Sequence, residues 1–186
     1  MAKIKEKEFT VKDSINIVKN MFKDKSRQKK LSSLVPGDLF FGVYDAKNKE
    51  AVFDKRPFVI ILRKSKSYIL GVNFNWAPLP LRVVLVKKIL QMNTKNIKNN
   101  KPLEFSYKDL KPFMKKIGFA PIIRLYITKR MSNNVVQVPP EHLMTAARLQ
   151  TAVFTNGKKA EELYKRAIAG NKAYRSGRRR VGTKYQ

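Results

Sequence analysis

Cysteine is absent from the 186 residues, histidine and tryptophan occur once each, and 13 acidic residues face 41 lysines and arginines. Each shortage removes a class of chemistry. Without cysteine there is no disulfide framework, no thiolate nucleophile and no Cys-based zinc site, which suits a chain made in a reducing cytoplasm. A lone His142 cannot supply a His-pair metal site, and beside Pro139-Pro140 it reads as a solvated or capping side chain instead of a general base. No apolar run approaches the roughly 18 residues that would span a bilayer. The opening Met-Ala-Lys-Ile-Lys-Glu-Lys-Glu has no apolar stretch of the kind that marks a secretory signal. Glycine-rich phosphate loops ending in Gly-Lys-Ser/Thr are missing, and the carboxylates are scattered instead of paired as in a nuclease Asp…Glu-x-Lys set. No metal or cofactor is expected on these grounds.

What is present is positive charge. A formal net charge of +28 exceeds what solubility requires and repels itself in a free monomer, so a polyanion is the expected counterweight. At the same time 43% of the residues are hydrophobic, enough for a real core in a chain of single-domain size.

The apolar residues concentrate between Pro36 and Leu90. Pro36-Gly37 signals a turn, and Leu39 to Tyr44 reads as a first strand. Phe58 to Leu62 is apolar at every position, as in a strand covered on both faces or curled into a small barrel. Lys64-Ser-Lys-Ser67 turns the chain into a third strand, Tyr68 to Phe74, with Gly71 as a bulge candidate. Leu79 to Met92, opened by Pro78 and Pro80, has the spacing of a helix able to cover such a sheet.

Elsewhere helices dominate the reading. Thr10 and Asp13 form a capping pattern for a helix over 11 to 23, with Val11, Ile15, Val18 and Phe22 on one face. A basic linker follows, 23 to 30, and residues 1 to 30 carry 10 Lys+Arg against 4 Asp+Glu. An Asn/Lys loop spans 93 to 100. A second helix is expected from Ser106 to Ile117, stopped by Gly118. Ile122 to Met131 fits a helix with strand as the alternative, Val135 to Val138 fits a strand that completes the sheet, and Glu141 to Leu149 fits a helix. Lys158 to Ala169 reads as an exposed helix, and 171 to 186, with six basic and no acidic residues, as a disordered tail. The expected class is α+β: a small SH3-like or β-barrel-like antiparallel sheet covered by helices, with a basic N-terminal arm and C-terminal tail. The divisions are an arm at 1–30, a core at 31–156, and a helix with an Arg-rich tail at 157–186.

Between Lys87 and Arg130 there are 12 basic residues against Glu104 and Asp109 alone. Lys108, Lys111, Lys115 and Lys116 share the polar face of the second helix, where they suit phosphate neutralisation without sequence readout. Arg124, Lys129 and Arg130 extend that set. In the tail, Arg175, Arg178, Arg179, Arg180 and Lys184 offer bidentate forks and point charges on a backbone loosened by glycine and serine. Tyr174 and Tyr185 are of a type that stacks on bases at a strand end. Asp38, Asp45, Glu50 and Asp54 cluster in sequence; they read as turn and edge residues, with a metal-dependent nuclease as the alternative they leave open. A basic RNA-binding component of a ribonucleoprotein is the other alternative.

The core stretch also carries a resemblance. A strand opening with Gly37, Leu39 and Phe40 leads to Tyr44, then Phe53, Asp54 and Pro57 ahead of the apolar strand. Gly71, Asn73, Phe74 and Trp76 then lead into a helix with Leu79, Pro80 and Arg82. This pattern resembles the DNA end protector proteins of T-even-type contractile-tailed phages. A continuation through Arg124, Tyr126 and Ile127 to Val138-Pro139-Pro140 extends it over roughly 35 to 154 and leaves out both basic ends. Asn75 stands where the pattern has a histidine, and Ala77 replaces part of a proline-leucine turn. The resemblance implies a non-enzymatic virion protein, present in the host cytoplasm during assembly. It implies binding to the end of the packaged double-stranded DNA near portal or neck proteins, and shielding of that end from host exonuclease. A fold-level analogy to SH3-like barrels of toxins and ribosomal proteins rests on the Gly-Asp-Leu opening and the Arg-Pro-hydrophobic second strand, and says nothing of function.

Overall fold

The computed structural model describes residues 9–45, 55–99, 101, 103–105, 107–118, 122–155, 157 and 159–169. The architecture is α+β, built on six strands: β1 (Gln28–Lys30), β2 (Leu39–Phe41), β3 (Phe58–Lys64), β4 (Tyr68–Asn73), β5 (Ile123–Ile127) and β6 (Asn134–Val138). Their order across the sheet is β1-β6-β2-β3-β4-β5, and every neighbouring pair is antiparallel. The order is open, where the sequence suggested barrel-like closure. An isolated antiparallel bridge between Tyr44 and Met131 lies beyond the β2–β6 ladder, between the residues that follow β2 and those that precede β6.

The uninterrupted apolar run of β3 follows from burial on both faces. Phe58, Ile60 and Leu62 point into a large core shared with the helices, while Val59 and Ile61 enter a second, smaller cluster on the opposite face. That second cluster is closed by Leu31, Leu34, Met131 and Tyr126, with Tyr44 set edge-on to Tyr126 at 5.1 Å. Successive strand residues alternate sides, so covering both faces removes the polar alternation that a one-sided sheet shows.

The β3–β4 pairing shifts register between Ile61 and Arg63. The extra residue lies on β3 at Leu62, opposite the Gly71–Leu70 step, so Gly71 faces the bulge and does not form it. A Cβ on Gly71 would lie 2.3 Å from Val59 Cγ1 and 2.7 Å from the Ile60 carbonyl oxygen, so this approach admits only glycine.

Helices cover the larger core. In α1 (Val11–Lys23) the Asp13 amide donates to Thr10 Oγ1 at 3.1 Å and the Thr10 amide donates to Asp13 Oδ2 at 3.3 Å, completing the capping box. The helix docks through Ser14 and Met21, and the Gln150 amide donates to Ser14 Oγ at 2.9 Å. Val11, Ile15 and Phe22 of the expected stripe stay largely exposed. The segment expected as a linker instead forms a 3-10 turn at Lys25–Arg27 and the edge strand β1, paired with β6.

In α2 (Leu79–Met92), Val83, Leu85, Val86 and Ile89 are buried together with Arg82. Arg82 Nη1 donates to the Leu149 carbonyl, tying α2 to the chain beyond α5. The Asn/Lys loop contains a short helix, α3 (Thr94–Lys98), and α4 (Tyr107–Ile117) buries Leu110 and Met114. Residues 122 to 131, read first as a helix, are the strand β5 and a 3-10 turn, Thr128–Arg130. The β-branched content of Ile122, Ile123 and Ile127 decides it once β4 offers a ladder partner. The expected helix at 141 to 149 is a 3-10 turn, Pro140–His142, followed by α5 (Leu143–Ala147). A last helix, α6, spans 160–169. It is not the exposed helix the sequence suggested, because Leu163 and Ala167 belong to the main core. Among the described residues no helix is long and apolar enough to cross a membrane.

Candidate nucleic-acid interface

The basic residues singled out in the sequence separate into three environments. Lys108, Lys111, Lys115 and Lys116 are exposed on α4, whose Leu110 and Met114 anchor it to the larger core. Lys115 and Lys116 also lie in the last helical turn, where cations complement the helix dipole. Lys88 of α2 approaches this helix, its Nζ 6.0 Å from the centre of the Phe113 ring. Tyr164 of α6 donates to the Gly118 carbonyl at 2.8 Å, which holds the end of α4 against α6.

Arg124 is engaged within the fold, whereas Arg130 makes a solvent-exposed contact with Asp45. The Arg124 guanidinium lies 4.1 Å from the centre of the Trp76 ring, a cation–π contact over an almost fully buried indole. Burial lowers the Arg124 pKa from its ordinary value, although arginine keeps its charge at any ordinary pH. Arg130 Nη1 lies 3.7 Å from Asp45 Oδ2 and donates to the Asp45 carbonyl at 3.3 Å. Arg175, Arg178, Arg179, Arg180 and Lys184, with Tyr174 and Tyr185, lie outside the described residues.

Lys129 belongs to a different surface. It lines a groove of about 1040 Å³ together with Lys30, Lys64, Lys66 and the Leu31–Pro36 segment, and among the described residues no acidic side chain lines it. Leu31 and Leu34 in its wall belong to the smaller core cluster, whereas α4 rests on the larger one. The α4 lysines and Lys129 therefore face away from each other across the sheet.

The walls of this groove are pinned by side chains. Lys64 Nζ donates to the carbonyls of Leu31, Ser32 and Leu34 at 2.8, 2.7 and 2.6 Å, so all three ammonium protons are satisfied by one rim. Burial lowers the Lys64 pKa, and the nearby Asp38 carboxylate opposes that shift. Asp38 accepts from the Val35 amide at 2.7 Å and from Gln137 Nε2 at 2.8 Å. Its own pKa is raised, because desolvation outweighs those hydrogen bonds and the Lys64 charge. Thr128 Oγ1 donates to the Lys66 carbonyl at 2.7 Å, and the Leu31 amide donates to the Asn133 carbonyl at 2.7 Å.

Sequence reasoning placed Lys30 in a linker and Lys66 in a hairpin turn, and so missed this groove. The one local signal was the alternation of lysine and serine at Lys64-Ser-Lys-Ser67. The acidic residues do not gather: Asp38 and Asp45 flank β2 at opposite ends, Glu50 and Asp54 lie outside the described residues, and no group of three potential metal ligands occurs among those described.

The chain is similar to a known family along most of its length. A family model described as Phage T4 terminal DNA protecting protein matches residues 2–166. The similarity begins well before residue 35, so it takes in α1 and β1 as well as the sheet and most of α6. No curated protein and no solved structure matches the chain.

Proposed function

Since the chain belongs to the family of phage T4 terminal DNA protecting proteins, we propose that it binds the ends of the double-stranded phage genome without cleaving it and shields them from host exonuclease. The site of action we propose is the portal or neck of the virion, in contact with the proteins there, after assembly in the host cytoplasm. The family match over residues 2–166 carries the reading. The net charge of +28 supports it, since phosphate neutralisation and counterion release favour a polyanionic partner. Lys108, Lys111, Lys115, Lys116 and Lys129, with the basic tail residues Arg175, Arg178, Arg179, Arg180 and Lys184, are the proposed contacts to phosphate. Arg124 serves the fold first, through Trp76, while Arg130, whose contact with Asp45 is solvent-exposed, stays among the proposed contacts.

The test is protection of linear duplex DNA. DNA coated with the protein should survive a processive exonuclease better than an endonuclease acting mid-duplex, and the difference should narrow as salt strips the lysine and arginine contacts. Uniform protection along the DNA would reduce the protein to a simple basic coat. Magnesium-dependent nicking abolished by Asp54→Asn would make it an enzyme instead.

A further inference from the structure

We propose that the groove between the Leu31–Ser33 turn, the β3–β4 hairpin and the Thr128–Arg130 turn seats the terminal nucleotides of one DNA strand by their phosphates. The inference rests on the DNA-end reading above and assigns that reading a place. Three exposed lysines come to the groove from three separate elements: Lys30 ends β1, Lys66 tips the β3–β4 hairpin, and Lys129 sits in the turn after β5. With no acidic side chain in the lining among the described residues, a chain of phosphates meets attraction along the whole groove. Asp38 is the carboxylate that acts on Lys64, and Lys64 is held by three carbonyls, so the three exposed lysines are the ones available to a ligand.

The groove is also preformed. Lys64 fixes one rim, Thr128 fixes the second to the hairpin tip, and the Leu31–Asn133 hydrogen bond fixes the third side. The tip itself is tight, since Ser65 Oγ accepts from the amides of both Ser67 and Tyr68 at 3.2 Å. Charges held on rigid supports bind without first being ordered.

A concavity of about 1040 Å³ has room for a short stretch of one strand. Part of its lining is apolar, with Val35 46% exposed beside Pro36, a surface suited to the sugar and base faces that only a strand end presents.

The experiment compares the full chain with Lys30→Ala/Lys66→Ala/Lys129→Ala and, as a control of equal charge, Lys111→Ala/Lys115→Ala/Lys116→Ala. Each is titrated against closed circular DNA, blunt linear duplex and linear duplex with short single-stranded ends, with thermal unfolding followed in parallel. The unaltered chain should prefer the DNA with single-stranded ends. The groove variant should unfold as the unaltered chain does, lose about tenfold in affinity for ended DNA, and show a log–log salt slope smaller by about two on that DNA. The control should weaken all three DNAs alike. A groove variant that keeps the preference for ends would overturn the groove assignment while leaving end protection by the unaltered chain intact. An unaltered chain with neither preference for ends nor exonuclease protection would overturn both.

Discussion

Trp76 shows at the residue scale why a side chain of suggestive chemistry must be located before it is given a role. The single tryptophan of a basic, aromatic-bearing chain is a residue type that stacks on bases, yet it is only 5% exposed and belongs to the main core, with Arg124 over its ring. Trp76→Ala should cost about 3–5 kcal/mol in urea unfolding, as large-to-small core changes do. A double-mutant cycle with Arg124→Ala should return a coupling of about 1–2 kcal/mol, the value of a partly desolvated cation–π pair. No coupling would mean that Arg124 is independent of the indole. Asp38 makes a pH prediction. Its carboxyl is held above the ordinary aspartate value by burial. Between those two values the folded protein keeps a proton that the unfolded chain has released, so this group makes stability fall as pH rises through that window. Asp38→Asn should remove that contribution, seen as the difference between the two proteins' unfolding free energies across the acid range. An unchanged difference across the window would refute the shift.

At the scale of the element, the strands were legible where their surroundings left one choice. The apolar run Phe58–Leu62 announced a strand covered on both sides, and the alternation of its residues between two clusters is how that happens. Thr10 with Asp13, and Pro78 with Pro80, marked the starts of α1 and α2 because capping is local. Ile122 to Met131 was not decided locally. Its spacing suits a helix, and the ladder from β4 makes it a strand. Gly71 tests the packing between β3 and β4 directly. Gly71→Ala would drive a Cβ into Val59 and the Ile60 carbonyl, so it should destabilise by about 1–3 kcal/mol, as overpacking does. Because backbone is among the obstructing atoms, Val59→Ala in the same chain should recover only part of the loss. Full recovery would place the whole conflict at the Val59 methyl.

For the whole molecule, charge is the property on which the proposed function rests. Affinity for duplex DNA should fall steeply with salt and vary little with internal sequence, since phosphate contacts carry no base readout. Ending the chain after Gly170 removes six basic residues and no acidic one. That truncation should weaken binding and lower the salt slope by about five if every removed charge contacts duplex phosphate, and by less for each that does not. Filter binding over a salt series measures it, and an unchanged slope would place binding wholly on the folded unit.

Composition and local pattern were enough to point to a polyanionic partner and to read the α+β class, the caps of α1 and α2, and a family resemblance through Gly37, Trp76 and Arg82. These are properties of single residues or short spacings, which a linear chain displays directly. The open order of the strands, the burial of Arg82, the packing of Arg124 over Trp76, the exposed pairing of Arg130 with Asp45, and the convergence of Lys30, Lys66 and Lys129 on one groove were decided by tertiary structure. The physical reason is that charge is written in the sequence, but whether a cation faces water, an indole or a carboxylate depends on partners tens of residues away. The pairing of β1 with β6 and of β4 with β5, with the turns that follow, brings those partners within contact distance.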